Sequence, residues 1–132
     1  MEDPRILVVD DESEVLDVMV DVLKQEGYAP QATTDSREAS RLLESTAFDV
    51  IISDIMMPHL NGLQLLELAK QQNPNVQVVL VTGYSTREVA LEALSRGATG
   101  YIEKPFHTDQ LLASVREAIW RWRVKRDPKS LG

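Results

Sequence analysis

Five residues of this chain have the types and spacing to hold a metal ion beside a phosphoryl group. Asp10 and Asp11 follow the apolar run Ile6-Leu7-Val8-Val9, and Asp54 follows Val50-Ile51-Ile52-Ser53. Thr82 follows Val78-Val79-Leu80-Val81, and Lys104 follows Tyr101-Ile102-Glu103. Each sits just past a strand-like run, and in an open parallel sheet such positions lie along the one edge where ligands bind. Carboxylates packed together repel, and at least one pKa rises unless a cation joins them. Mg²⁺ relieves this by taking one or two carboxylates, substrate oxygen and water. Charge in phosphoryl transfer spreads over the equatorial oxygens, which the Lys104 ammonium, the Thr82 hydroxyl and nearby backbone N–H groups can neutralise. Asp54 is then placed to be the nucleophile, since an ionised carboxylate needs no general base. Each residue also has a plainer role, as a helix cap, a turn former or a solvated cation. The argument rests on the set, in this order and each at a strand end. His59 and His107 fall in loop-like segments with no paired ligand spacing, and they read as solvent-exposed polar residues.

These side chains require a particular frame. Strand-like runs at about 5–9, 28–33, 49–53, 76–81 and 100–103 alternate with helix-like segments at the interval of a βα unit. The first, third and fourth runs are almost wholly apolar, as in central strands covered on both faces. The second contains Pro30 and more polar residues, which suits an edge. Val15, Leu16, Met19, Val22 and Leu23 form the apolar stripe of a first helix, closed by Gly27. Asp35 with Glu38 resembles a capping box for a second helix, which carries Ala39, Leu42 and Leu43. Asn61-Gly62 opens a third, which stops at Asn73-Pro74, and Ser85 with Glu88 opens a fourth, bearing Val89, Ala90, Ala93 and Leu94 and closed by Gly97. Thr108 opens a fifth with Leu111, Leu112, Val115, Ala118, Ile119 and Trp122. Trp120 cannot share the stripe of Trp122 and reads as partly exposed. The pattern is (βα)₅ with right-handed crossovers, which put helices on both faces of a twisted parallel sheet.

The chain has 132 residues, enough for one domain with a real core, and a formal charge of −7. Residues 121–129 carry a net +4, so the rest carries about −11, which argues against direct nucleic-acid binding by the main body. With no cysteine, disulfides and thiolate metal sites are excluded. No apolar run approaches the ~20 residues of a membrane span. The acidic start is unlike a signal peptide, so a cytoplasmic location is expected.

The landmarks Asp10-Asp11-Glu12, Asp54-Ile55-Met56-Met57-Pro58 with Gly62, Thr82-Gly83 and Lys104-Pro105-Phe106 resemble the receiver domain of two-component response regulators, from Arg5 to about Trp122. The resemblance implies a flavodoxin-like, doubly wound parallel sheet of five strands in the order 2-1-3-4-5. It divides the chain into a receiver at 1–122 and a charged tail, or the start of a linker to an effector domain, at 123–132. It implies that Asp54 accepts a phosphoryl group from a histidine kinase or phosphotransfer domain. Asp11, Asp54 and the Met56 backbone carbonyl would ligate Mg²⁺ (Mn²⁺ as a substitute), with Asp10 helping through water. Thr82 and Lys104 would contact the phosphoryl oxygens. Thr82 and Tyr101 would then switch the surface of helix 4, strand 5 and helix 5 toward an output domain or partner. Tyr84 and the Met56 side chain would border the site, with Tyr84 screening attacking water. The resemblance allows a homodimer on phosphorylation. However, Gly97-Ala98-Thr99-Gly100-Tyr101 lacks the acidic pair common before the aromatic in winged-helix regulators, which counts against their dimer. Glu103-Lys104-Pro105-Phe106 looks more like receivers of the nitrogen-regulator type. Nucleic acid would be contacted only through an effector.

Such a protein is a signalling receiver that promotes its own phosphorylation and dephosphorylation, not a turnover enzyme. The alternatives are an aspartyl-phosphate-forming Mg²⁺ phosphatase and a degenerate receiver used only for docking. The first needs an acid two residues after the nucleophile, where Met56 stands; the complete acid, threonine and lysine set speaks against the second. A flavin or nucleotide carrier on the same fold would need a Gly- or Ser/Thr-rich loop where Asp10-Asp11-Glu12 would repel phosphate.

Overall fold

The computed structural model describes residues 3–126. Five parallel strands, β1 (Ile6–Val9), β2 (Gln31–Thr33), β3 (Val50–Asp54), β4 (Gln77–Thr82) and β5 (Gly100–Glu103), pair in the order β2-β1-β3-β4-β5. Helices α1 (Ser13–Gln25), α2 (Ser36–Ser45), α3 (Gly62–Gln72), α4 (Arg87–Ser95) and α5 (Thr108–Arg126) follow the strands in turn. This is the flavodoxin-like arrangement expected. No helix among the described residues is long and apolar enough to cross a membrane.

The apolar strands bury both faces because successive side chains point to opposite sides. Ile6, Val8, Val50, Ile52, Val79 and Val81 join the layer packed by Leu16, Met19 and Leu23 of α1 and Leu111, Val115 and Ile119 of α5. Leu7, Val9, Ile51, Val78 and Leu80 join the other, packed by Leu43 of α2, Leu65 and Leu66 of α3 and Ala93 of α4. Each fully buried large side chain contributes ~1.5–3 kcal/mol relative to leaving it in water.

Helix ends follow local chemistry. Gly27 and Gly97 both have positive φ and end α1 and α4 alike. The N–H groups of Gly27 and Tyr28 donate to Lys24 and Leu23, and those of Gly97 and Ala98 donate to Leu94 and Ala93. Tyr28 is thereby used in capping, and Pro30 has no N–H, so β2 begins only at Gln31 rather than at 28. Asp35 caps α2 by accepting the Arg37 N–H; Glu38 closes no capping box there. A full capping box instead opens α3, between Asn61 and Gln64. Thr86, not Ser85, caps α4, because the Ser85 hydroxyl is engaged elsewhere. Leu94 is exposed rather than part of the core.

Trp122 is buried and Trp120 is exposed, as their helical phase requires. Arg126 lies over the Trp122 ring at 5.3 Å. The expected tail at 123 continues α5 through Arg126, and residues 127–132, with Asp127 and Lys129, lie outside the described residues.

Candidate metal and phosphoryl site

Parallel pairing sets the site by register. Val9 pairs with Ser53, and Asp54 pairs with Val81, so the acids after β1 and at the end of β3 come to one edge beside β4. The Lys104 N–H donates to the Thr82 carbonyl at 2.8 Å, extending the β4–β5 ladder by one residue and bringing Lys104 to the same edge. The Lys104–Pro105 peptide is cis.

Lys104 Nζ lies 2.9 Å from Asp10 Oδ2, 2.9 Å from Glu12 Oε1 and 3.2 Å from Asp54 Oδ2. Asp10 is fully buried and Asp54 is 3% exposed. Burial is the main cause that pushes the Asp54 carboxyl up to about 6, and the Asp10 charge adds to it while Lys104 opposes. Burial likewise raises Asp10, against the pull of Lys104 and of the Glu12 N–H, which donates to Asp10 Oδ1 at 2.9 Å. For Lys104, burial favours the neutral amine, but the surrounding carboxylates prevail and hold it charged well above the ordinary lysine range.

The arrangement suits a hard cation. One oxygen each from Asp10, Glu12 and Asp54 lies within 4.8 Å of the others. Asp10 Oδ2, although ion-paired at 2.9 Å, makes no aligned hydrogen bond. A buried carboxylate oxygen with spare capacity, in an all-oxygen donor set, is what Mg²⁺ accepts. Asp11 is exposed and stands outside that triad, but it is near enough to Asp54 to add to the upward push on that carboxyl. Glu12 is the site member that reasoning from strand ends missed; its position two residues past Asp10 was the available signal.

The loop after β3 carries Met56 and is closed at its base. Ile55 N–H donates to Val81 O at 2.9 Å, and Gly62 N–H donates to Ile55 O at 2.9 Å. A Cβ at Gly62 would stand 2.5 Å from the Asp54 carbonyl oxygen, so only glycine lets α3 begin this close to the site. The Met56 and Tyr84 side chains are exposed. Tyr84, Lys104, Val18 and Phe106 are among the residues lining an open groove of ≈ 640 Å³ beside the acids. His59 and His107 are exposed and belong to no metal-ligating group among the described residues.

The hydroxyl residues are arranged differently. Thr82 is fully buried and continues the parity of Val78 and Leu80, whereas Asp54 continues that of Val50 and Ile52. Its Oγ1 accepts the Tyr84 N–H at 3.0 Å. The Tyr101 hydroxyl donates to Ser85 Oγ at 2.9 Å, and Ser85 donates to Glu103 Oε1 at 3.0 Å. Ser85 reads in the sequence only as a helix opener and Glu103 only as the last residue of a strand-like run, so the bond between them, across 18 residues, carried no signal.

Comparison with known proteins adds to this geometry. The family description "response regulator receiver domain" matches residues 6–116. The DNA-binding transcriptional regulator NtrC of Proteus hauseri is 34% identical over 130 residues, covering 98% of this chain and 28% of that protein. The chain thus spans little more than a quarter of the length of such curated relatives. A CheY-like receiver domain protein from Methanospirillum hungatei JF-1 superposes with a TM-score of 0.87 at 31% identity, covering 94% of this chain and 99% of that one. The beryllofluoride-activated NtrC4 receiver domain dimer gives 0.83 at 31% identity, covering 89% and 98%.

Proposed function

Because the chain belongs to the response regulator receiver family, we propose that Asp54 accepts a phosphoryl group from a phosphohistidine on a histidine kinase or phosphotransfer domain. Relatives of the NtrC and NtrX type are longer proteins, and this chain corresponds to their receiver portion. The observation that carries the reading is the buried Asp54 carboxylate, 3.2 Å from Lys104 Nζ and within 4.8 Å of two further acids.

In the step itself, an Asp54 carboxylate oxygen forms a bond to phosphorus as the phosphorus–nitrogen bond of the donor imidazole breaks. The bonding pair stays on that nitrogen, which takes a proton from solvent. Asp54 needs no base once ionised, and its raised pKa makes ionisation depend on neighbouring positive charge. Lys104 supplies part of that charge and is placed to follow the phosphoryl oxygens away from Asp54. Asp10, Asp11, Asp54 and the Met56 carbonyl would hold Mg²⁺, or Mn²⁺ in its place, with Glu12 at its margin. When bound, the ion supplies neutralisation of developing charge on one phosphoryl oxygen. Thr82 releases Tyr84 N–H to reach another oxygen, and Tyr101 leaves Ser85, altering the surface of α4, β5 and α5. That surface would address an output domain or partner, and a second copy of the chain is one candidate. The same residues promote phosphorylation and hydrolysis, with Tyr84 at the mouth limiting water.

Intact-mass measurement after incubation with a small phosphodonor and Mg²⁺ tests this reading. The wild type gains one phosphoryl group and Asp54→Asn gains none. Equal gain by both would move the acceptor elsewhere.

A further inference from the structure

The loop between β3 and α3 is fixed at its tip by a residue from another helix. Ser36, the first residue of α2, is 2% exposed. Its hydroxyl donates to the Pro58 carbonyl at 2.6 Å and accepts the Leu60 N–H at 3.1 Å. One hydroxyl thus satisfies two backbone groups that helix and strand leave over. Between them, His59 has a φ of 73°, a left-handed conformation uncommon for a residue with a side chain. The two bonds straddle that residue and fix the turn.

Ser36 is itself held. Asp35 N–H donates to Thr33 Oγ1 at 3.1 Å, and the Asp35 carboxylate accepts Arg37 N–H at 2.9 Å. Position is therefore transmitted from β2, through the start of α2, to the loop. Gly62 N–H on Ile55 O closes the other end. Met56 lies between these two anchors.

We propose that Ser36 is a positioning residue for the metal end of the site: its buried hydroxyl sets the path of residues 56–60, and so the placement of the Met56 carbonyl toward a divalent cation. This inference rests on the reading of Asp54 and its neighbours given above. Outer partners of metal ligands commonly control affinity in this way, and their loss weakens binding ~10–100-fold. Among the described residues the Ser36 hydroxyl bonds the Pro58 carbonyl and the Leu60 N–H and neither the site carboxylates nor Lys104, so its effect is to be felt in the loop alone.

Mn²⁺ binding is measured by the loss of the free-ion electron paramagnetic resonance signal, with the full chain as wild type, Ser36→Ala and Val115→Ala. Val115 sits in the opposite core layer and reports the effect of lowered stability alone. Amide hydrogen exchange at Leu60 is followed in the same samples. The expected result is wild-type affinity in Val115→Ala, a loss of ~10-fold or more in Ser36→Ala, and faster exchange at Leu60 only in the latter. Wild-type affinity in Ser36→Ala overturns the proposal while leaving the metal site standing, and so does an equal loss in both variants. Absence of Mn²⁺ binding in the wild type removes the metal site and this inference with it. If Ser36→Ala does not fold, Ser36→Cys, with its weaker donor, takes its place under the same outcomes.

Discussion

Asp10 and Asp54 are buried and already joined by the half-buried Lys104, at 2.9 and 3.2 Å, whereas Thr82 and Tyr101 have their hydroxyls committed to Tyr84 N–H and Ser85. Both halves stand at the same sheet edge, but they are held in different ways. The acid half sits on β1 and β3, two central strands whose neighbours pair on both sides. Its charges are held in place at a cost in desolvation that only a cation offsets. The hydroxyl half hangs on β4, the loop before α4 and the edge strand β5, where Leu91 and Leu94 of α4 are more than half exposed. Fewer buried residues on α4 and β5 mean a lower cost of rearrangement for that part, although Thr82 itself is fully buried. The difference suggests a division in which one half does chemistry and the other reports it.

Lys104→Met strikes the acid half hardest. It leaves two buried carboxylates without their cation, and phosphoryl uptake falls by ~10²–10³-fold, read from the rate of mass gain. Without metal the variant also loses ~3 kcal/mol of stability in denaturant titration, a loss that Mg²⁺ reduces.

A pH series sharpens the same contrast. Asp54 has a raised carboxyl in the folded protein, so the folded state binds more protons than the unfolded one between the ordinary aspartate range and about 6. Its contribution to stability is best at low pH and declines as pH rises through that window. Relative to Asp54→Asn, the metal-free wild type therefore loses stability between about pH 4 and 6, by an amount of the order of 3 kcal/mol. The two curves run parallel above it. Saturating Mg²⁺ flattens the difference.

Gly62→Ala tests how closely α3 must approach. Its Cβ would press on the Asp54 backbone at 2.5 Å, and backbone cannot step aside cheaply. A loss of ~1–3 kcal/mol is expected, with weaker Mg²⁺ binding by calorimetry. Tyr101→Phe has the smallest effect. It removes the bond to Ser85, costs ~0.5–1.5 kcal/mol, and leaves Mg²⁺ affinity unchanged. A change in metal affinity there would erase the division between the halves.

The frame was legible because β1, β3 and β4 are short apolar runs that end at a polar residue, while the more polar β2 reads as an edge. Strand order and both core layers then follow from parallel pairing and side-chain alternation. Asp10, Asp54 and Lys104 announced themselves as strand-end charges, and the structure brings them together. Thr82 arrives at the edge with its hydroxyl accepting the Tyr84 N–H, a local bond that residue type alone does not reveal. Asp11 adds to the upward push on the Asp54 carboxyl but stands outside the cluster of Asp10, Glu12 and Asp54. Ser36 was illegible, since its partners lie 22 and 24 residues away and its sequence neighbours read only as a helix start. The α5 extension was hidden because charged residues at 123–126 break apolar periodicity without breaking the helix.

The most direct test of the central claim is chemical trapping of the acceptor. The chain is phosphorylated with a small donor and Mg²⁺, reduced with borohydride, which converts an acyl phosphate on aspartate to homoserine, and mapped by peptide mass spectrometry. The account predicts homoserine at position 54 and none at 10 or 11. Homoserine at either of those positions, or none in a chain that has gained phosphate, would contradict it.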